Sequence, residues 1–183
     1  MKRKLIVIDD FFDNPDDVRE FALSCEYKSD NNYFKGLRSV ENYHFPNAKE
    51  LFENLLGERI DSFPNEGSNN GCFQITTAED FQVYHCDLQK WAAIIYLTPD
   101  APFHSGTRTH ASKINGAKHG EDYNIDESFT GGFYDSTKFD IVDSIGNVYN
   151  RMILMDAKQI HSAGNYFGNS KETGRLVQIF FFG

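Results

Sequence analysis

The sequence has little cysteine, little proline and no long apolar run. Three cysteines, Cys25, Cys72 and Cys86, form no CxxC pair and leave one odd. That excludes a disulfide framework and points to reduced thiols in a cytoplasmic compartment. No apolar stretch approaches the roughly 18 residues of a membrane span, so no membrane partner is expected. The start, Met1 to Asp10, has a basic tip but only four apolar residues before two acids, too few for a signal-peptide core. There is no repeat, no low-complexity tract and no linker composition. Positive charge is also in deficit: 18 Lys+Arg face 27 Asp+Glu, a formal net charge of −9. That argues against nucleic acid as a dominant partner, while leaving room for a local basic patch. An anionic small ligand would need a specific cation waiting for it.

Aromatic residues are plentiful. They make up 15% of the chain, led by 17 Phe, within 40% hydrophobic and 25% charged residues. A chain of 183 residues with this composition reads as one domain, 1–183, able to bury roughly 70% of its unfolded surface.

Residues 4–8 read as a short buried strand. Asn14 and Pro15 open a helix, as cap and first helical residue, whose apolar stripe is Val18, Phe21, Ala22 and Cys25. A second helix is expected from about Asn47 to Leu56, with Gly57 as its stop. After Gly71 the texture turns to β. Residues 73–77 and 81–85 alternate, Trp91 to Leu97 is continuously apolar, and residues 152–155 and 176–182 complete the strands. Residues 104–136 are polar and Gly-rich, so a long loop at a substrate entrance is expected. Two helices followed by many short strands suggest a mainly β fold, a helix-backed sandwich or barrel.

His85-Cys86-Asp87 lies at a strand end, where residues i and i+2 share a side. The His85 imidazole and the Asp87 carboxylate can converge while Cys86 points to the core. Alone this is weak, because roughly one H-x-[DE] is expected by chance in this composition. The second one, His119-Gly120-Glu121, reads as solvated loop. What strengthens the first is His161, which follows a strand and a turn and can close a set of three ligands. Two His and one carboxylate with open positions is the arrangement of non-haem Fe(II) oxygenases. Arg175 then starts the last, apolar strand. A lone Arg entering a β core needs a partner, and a dicarboxylate would satisfy it with a bidentate contact.

An H-x-D pair, a distant His and an Arg on the following strand resemble the Fe(II)/2-oxoglutarate-dependent dioxygenase superfamily. The stretches YHCD, WAAIIYLTPDAP, NRMILMDAKQIHSAGNYFG and GRLVQIFFF resemble its prolyl-4-hydroxylase-like branch, within it a bacterial and phage group of small hydroxylases. The resemblance covers about residues 71–183, with residues 1–70 as a strand plus supporting helices. It implies a double-stranded β-helix, the cupin-like jelly roll. It implies His85, Asp87 and His161 as Fe(II) ligands, and Arg175 on the far carboxylate of 2-oxoglutarate. The expected reaction is hydroxylation of a peptidyl or small-molecule substrate with release of succinate and CO2. The carboxylate at Asp87 implies hydroxylation over halogenation. The insert Tyr166 to Thr173 makes the His161–Arg175 spacing longer than is usual in the family, with Arg151 as second candidate. A cupin-like metal enzyme without 2-oxoglutarate and a non-catalytic jelly-roll binding module are the rival readings.

Tyr84, Tyr96 and Gln74 sit on strands that should line the same cavity. Each is open between a hydrogen bond to the cosubstrate and a satisfied structural role. His104, His110 and His119 are expected in solvent, with at most one touching substrate. Phe180 to Phe182 are expected in the core.

Overall fold

The computed structural model describes residues 5–29, 35–65 and 68–183. Helix α1 spans Pro15–Ser24, with Pro15 in its first turn, where a missing N–H costs nothing. Asn14 precedes it, but its side chain makes no capping bond. Helix α2 spans Ala48–Leu56 and stops at Gly57. Gly57 takes φ +67°, a left-handed conformation that favours glycine, and its N–H donates to Glu53 O at 2.8 Å. No helix among the described residues is long and apolar enough to cross a membrane.

The rest is β. Strands β1 (Leu5–Ile8), β2 (Tyr27–Ser29), β3 (Leu37–Ser39), β4 (Cys72–Thr76) and β5 (Trp91–Tyr96) belong to a large antiparallel sheet, together with β8 (Met152–Asp156) and β10 (Arg175–Phe182). Their order is β1-β8-β5-β10-β4-β3-β2. A smaller sheet holds β6 (Thr107–Ser112), β7 (Phe139–Ile145) and β9 (His161–Ala163), in the order β7-β6-β9. The two sheets form the jelly roll.

The period-2 alternation of the large sheet explains its two faces. Trp91, Ala93, Ile95, Leu154, Leu176, Phe180 and Phe182 point one way, into a core shared with Ala22 of α1 and Ala48, Phe52 and Leu56 of α2. The phenylalanines concentrate there. Phe52 stacks on Phe182 at 4.9 Å and meets Phe180 edge-on at 5.3 Å. Such pairs add about 0.5–1.5 kcal/mol each beyond their area. Ala92, Tyr96, Ile153, Met155, Val177 and Ile179 point the other way. Ile145 of β7 joins them, so the small sheet covers this side.

Several elements depart from the sequence reading. The first strand is a half-buried edge strand: Val7 is 43% exposed, and Lys4 lies outside the described residues. Residues 81–85 form no strand, only an extended segment with a single bridge at His85. Residues 107–112, expected as loop, are strand β6. Its inward side chains are Thr107 and Thr109, so no apolar alternation announces it. β7 is an edge strand with Ile141 57% and Val142 40% exposed. The short strands β2 and β3 were not expected either.

Candidate metal centre

The extended segment 81–87 completes the small sheet where β9 would otherwise be an edge. His85 and His161 exchange both backbone bonds, His85 N–H to His161 O at 3.0 Å and His161 N–H to His85 O at 2.8 Å. Directly opposed residues in an antiparallel pair project to the same face. The two imidazoles therefore lie side by side, ring centroids 4.3 Å apart. Asp87 follows two residues later on the same side, anchored by its N–H to Ala157 O at 2.9 Å. His85 Nε2 is 3.4 Å from Asp87 Oδ1, and His161 Nε2 is 3.3 Å from Asp87 Oδ2. The three ligand atoms lie within 4.8 Å of one another, the only such group of three or more among the described residues.

Each ring is set by its other nitrogen. His161 Nδ1 lies 2.8 Å from Gln159 O, and His85 Nδ1 lies 3.2 Å from Val83 O. An Nδ1–H donated to a carbonyl leaves Nε2 as the free ligand nitrogen. Asp87 Oδ2 is buried and no protein donor is aligned on it. Such an oxygen is costly without a cation. Burial acts to raise the Asp87 carboxyl pKa, but the rings of His161 and His85 outweigh it and hold it far below the usual carboxylate range. For His161, burial acts downward and Asp87 overrides it, so its pKa rises. The carboxylate and the two imidazoles thus stabilise one another at a point where a divalent cation would take over the charge balance. Two imidazole nitrogens and one carboxylate on one face suit a non-haem divalent metal with open positions.

The triad opens into a cavity of about 310 Å³ that Arg175, Gln74 and Thr107 also line. Arg175 is 4% exposed on β10, a central strand paired to both β5 and β4. Its Nε donates to Ser105 O at 3.0 Å, and its guanidinium lies 5.4 Å from the Tyr96 ring centroid. Among the described residues no carboxylate pairs with it. A buried guanidinium without a counter-ion is expensive, and an anion in the cavity would compensate it. Ala92, Ile94, Ile179 and Phe181 give the cavity its apolar walls.

No family model matches the sequence, and no curated protein does. Solved structures do match. HygX from Streptomyces hygroscopicus with nickel and 2-oxoglutarate bound aligns with a TM-score of 0.59, 13% identity, 99% of this chain and 83% of HygX. HygX with nickel, 2-oxoglutarate and hygromycin B bound aligns with a TM-score of 0.61 and 12% identity over the same shares. The chain has the fold of HygX. At this identity the likeness is one of fold, and the chemistry rests on the geometry above.

The other expected site residues divide. Gln74 lines the cavity and donates to Lys35 O at 2.8 Å. Tyr96 is fully buried behind Arg175 and donates to Thr107 Oγ1 at 2.8 Å, so it braces the lining. Tyr84 is elsewhere. It stacks on Phe139 at 4.8 Å, because in segment 81–87 it alternates with His85 and shares the side of Cys86. Burial pushes the Cys86 thiol up to about 12. Arg151 is outside the cavity, gripping Asp9 through Nε at 2.6 Å and Nη2 at 3.0 Å.

The solvated histidines need correction. His104 is exposed, but His110 is 3% exposed, with Nε2 2.9 Å from Ser162 Oγ. Burial first, then His161 and Arg108, lower its pKa to about 4. His119 is tied to the buried Asp156 at 3.2 Å. Arg38, Thr107, Ser162 and Tyr166 also line the cavity and were not singled out from the sequence. Tyr166 stands at the head of the insert that lengthens the His161–Arg175 spacing, the one signal that could have drawn attention to it.

Proposed function

We propose that this chain is an Fe(II)- and 2-oxoglutarate-dependent oxygenase that hydroxylates a small-molecule or peptidyl substrate. The observation that carries the reading is the preformed triad, with the buried Oδ2 of Asp87, on which no hydrogen bond is aligned, between two oriented imidazoles. His85 Nε2, His161 Nε2 and Asp87 would hold the iron. Arg175 would hold the distal carboxylate of 2-oxoglutarate, with Tyr96 and Ser105 fixing its fork. Gln74 and Thr107 offer polar contacts along the same cavity, and the apolar walls keep water out. Bound iron with 2-oxoglutarate supplies an O2-dependent oxidation in which the cosubstrate becomes succinate and CO2. Iron and 2-oxoglutarate in this chain are supported by the shared fold with HygX, whose structures hold nickel and 2-oxoglutarate.

The test is titration of anaerobic protein with Fe(II), then with 2-oxoglutarate, followed by succinate assay against candidate substrates. His161→Ala should lower metal affinity beyond the roughly 10–100-fold of changes one shell further out. Unchanged iron binding in both His85→Ala and His161→Ala would sink the assignment. Metal binding with no response to 2-oxoglutarate would favour a cupin-like enzyme that does not use it.

A further inference from the structure

His85 and Asp87 border both the 310 Å³ cavity and a groove of about 1160 Å³, as does Phe181. The backbone of the triad is held by a turn, residues 156–160, between β8 and β9. Its carbonyls set two of the three candidate ligands. Ala157 O accepts the Asp87 N–H at 2.9 Å, and Gln159 O lies 2.8 Å from His161 Nδ1. A shift of this turn would therefore move an imidazole and the carboxylate together.

Segment 118–120, from the long polar stretch, clasps this turn. The Ile160 N–H donates to Lys118 O at 2.8 Å, and the Gly120 N–H donates to Lys158 O at 2.7 Å. His119 and Gln159 form an antiparallel bridge between them. Gly120 also stands against Cys86, the residue between His85 and Asp87: a methyl group at Gly120 would lie 3.4 Å from the Cys86 Cβ.

His119 locks the clasp with its side chain. Its Nε2 lies 3.3 Å and 3.2 Å from the two carboxylate oxygens of Asp156. Its Nδ1 accepts the Glu121 N–H at 3.2 Å, so the ring proton sits on Nε2 and is donated to Asp156. Asp156 is 4% exposed at the head of the turn, and its Oδ1 also accepts the Lys158 N–H at 3.1 Å. One buried carboxylate thus ties the backbone of the turn to the segment that clasps it.

We propose that His119 and Asp156 are positioning residues for the metal centre: their contact fixes the turn 156–160 and, through it, the aim of His161 and Asp87. This goes beyond the oxygenase reading and rests on its metal site. Groups that orient metal ligands typically change affinity about 10–100-fold when lost.

The test is titration of the full chain with Co(II), followed by visible absorption, which reports the geometry of the ligands. It compares two His119 variants of similar size. His119→Met keeps the bulk and removes the donor, whereas His119→Gln keeps a donor for Asp156. His119→Met should lower Co(II) affinity ten-fold or more and shift the absorption bands. His119→Gln should stay within three-fold of the wild type, with the bands restored, a split that a merely structural role would not produce. Should His119→Met not fold, His119→Asn, too short to reach Asp156, carries the same expectation. Phe52→Leu, in the core beneath the helices, controls for lost stability and should leave affinity and bands unchanged. Asp156→Ala combined with His119→Met should cost no more than Asp156→Ala alone, because the contact is already gone. The proposal is overturned if the donor-less variant binds Co(II) like the wild type or if His119→Gln is equally impaired. It is also overturned if Phe52→Leu moves both readouts as far, or if the losses in the double variant add. Absence of Co(II) binding in the wild type overturns it together with the metal centre. Failure of the oxygenase reading alone looks different: the wild type would bind Co(II) and not respond to 2-oxoglutarate.

Discussion

The two faces of the large sheet are made by the same strands and do different work. On β10, Leu176, Phe180 and Phe182 enter the helix-covered core, while Arg175, Ile179 and Phe181 line the cavity on the other side. The outer face packs against the helices and is rich in aromatic rings. The inner face keeps space, and at its centre a buried guanidinium and, across from it, a carboxylate between two imidazoles. Burial on one side supports the fold that lets the other side hold buried charged groups. Stability and chemistry are therefore separable by one residue along a single strand.

Adjacent phenylalanines test that separation most strongly. Phe180 is fully buried among Phe52, Phe45 and His44. Phe180→Ala should cost about 3–5 kcal/mol, the range for an aromatic truncated in a core. Phe181, next along the chain, is half-buried at the junction of cavity and groove. Phe181→Ala should cost about 1 kcal/mol, the centre of the range for point substitutions. Urea unfolding of both variants checks this, and equal losses would mean the faces are not distinct in energy.

The arginines give the second contrast. Removing one partner of a buried charge pair costs about 2–5 kcal/mol, and each ~1.4 kcal/mol is tenfold in affinity. Arg175→Ala should weaken 2-oxoglutarate binding roughly 30-fold or more while leaving metal binding intact. Arg175→Lys should recover only part, since an ammonium lacks the fork. Arg151→Ala removes a fork on the exposed Asp9, outside the cavity, and should leave 2-oxoglutarate affinity unchanged. Calorimetric titration of the three variants decides it. If Arg151→Ala abolishes binding and Arg175→Ala does not, the cosubstrate arginine has been misassigned.

The same contrast explains what the sequence made legible. The helices and the continuously apolar strands were readable because one whole face of each is hydrophobic. His85, Asp87 and His161 were readable as a motif in order. β6 was not, because the strand that carries Thr107 and Thr109 past the candidate metal site has a polar inner face. Arg38 was not, because its strand is three residues long and its meaning depends on the register Arg38–Gln74–Val177 across three strands. Local pattern reports burial, whereas the polar lining of a cavity arises from long-range pairing. His119 illustrates the converse: its polar, Gly-containing context reads as solvent, yet it is fixed to Asp156, 37 residues away.

Tyr84 offers the finest test, because it neighbours the candidate ligand His85 and yet belongs to the other side. Its ring stacks on Phe139 with an interplanar angle of 0°, and its hydroxyl reaches Gln82 Oε1 at 3.4 Å, the long end of a hydrogen bond. Tyr84→Phe keeps the stack and loses only the hydroxyl's contacts with Gln82 and Ser136. A net hydrogen bond is worth about 0.5–1.5 kcal/mol, and one this long belongs at the bottom of that range. The variant should lose about 0.5 kcal/mol of stability or less, and its metal and 2-oxoglutarate affinities should match the wild type within two-fold. Tyr84→Ala, by contrast, should destabilise the protein by opening the cluster with Phe139 and Ile160. A cosubstrate role for the hydroxyl predicts the opposite order: a marked loss of 2-oxoglutarate affinity in Tyr84→Phe with stability unchanged. Thermal unfolding and 2-oxoglutarate titration of the two variants separate these outcomes, and the alternation of Tyr84 with His85 along segment 81–87 says which to expect.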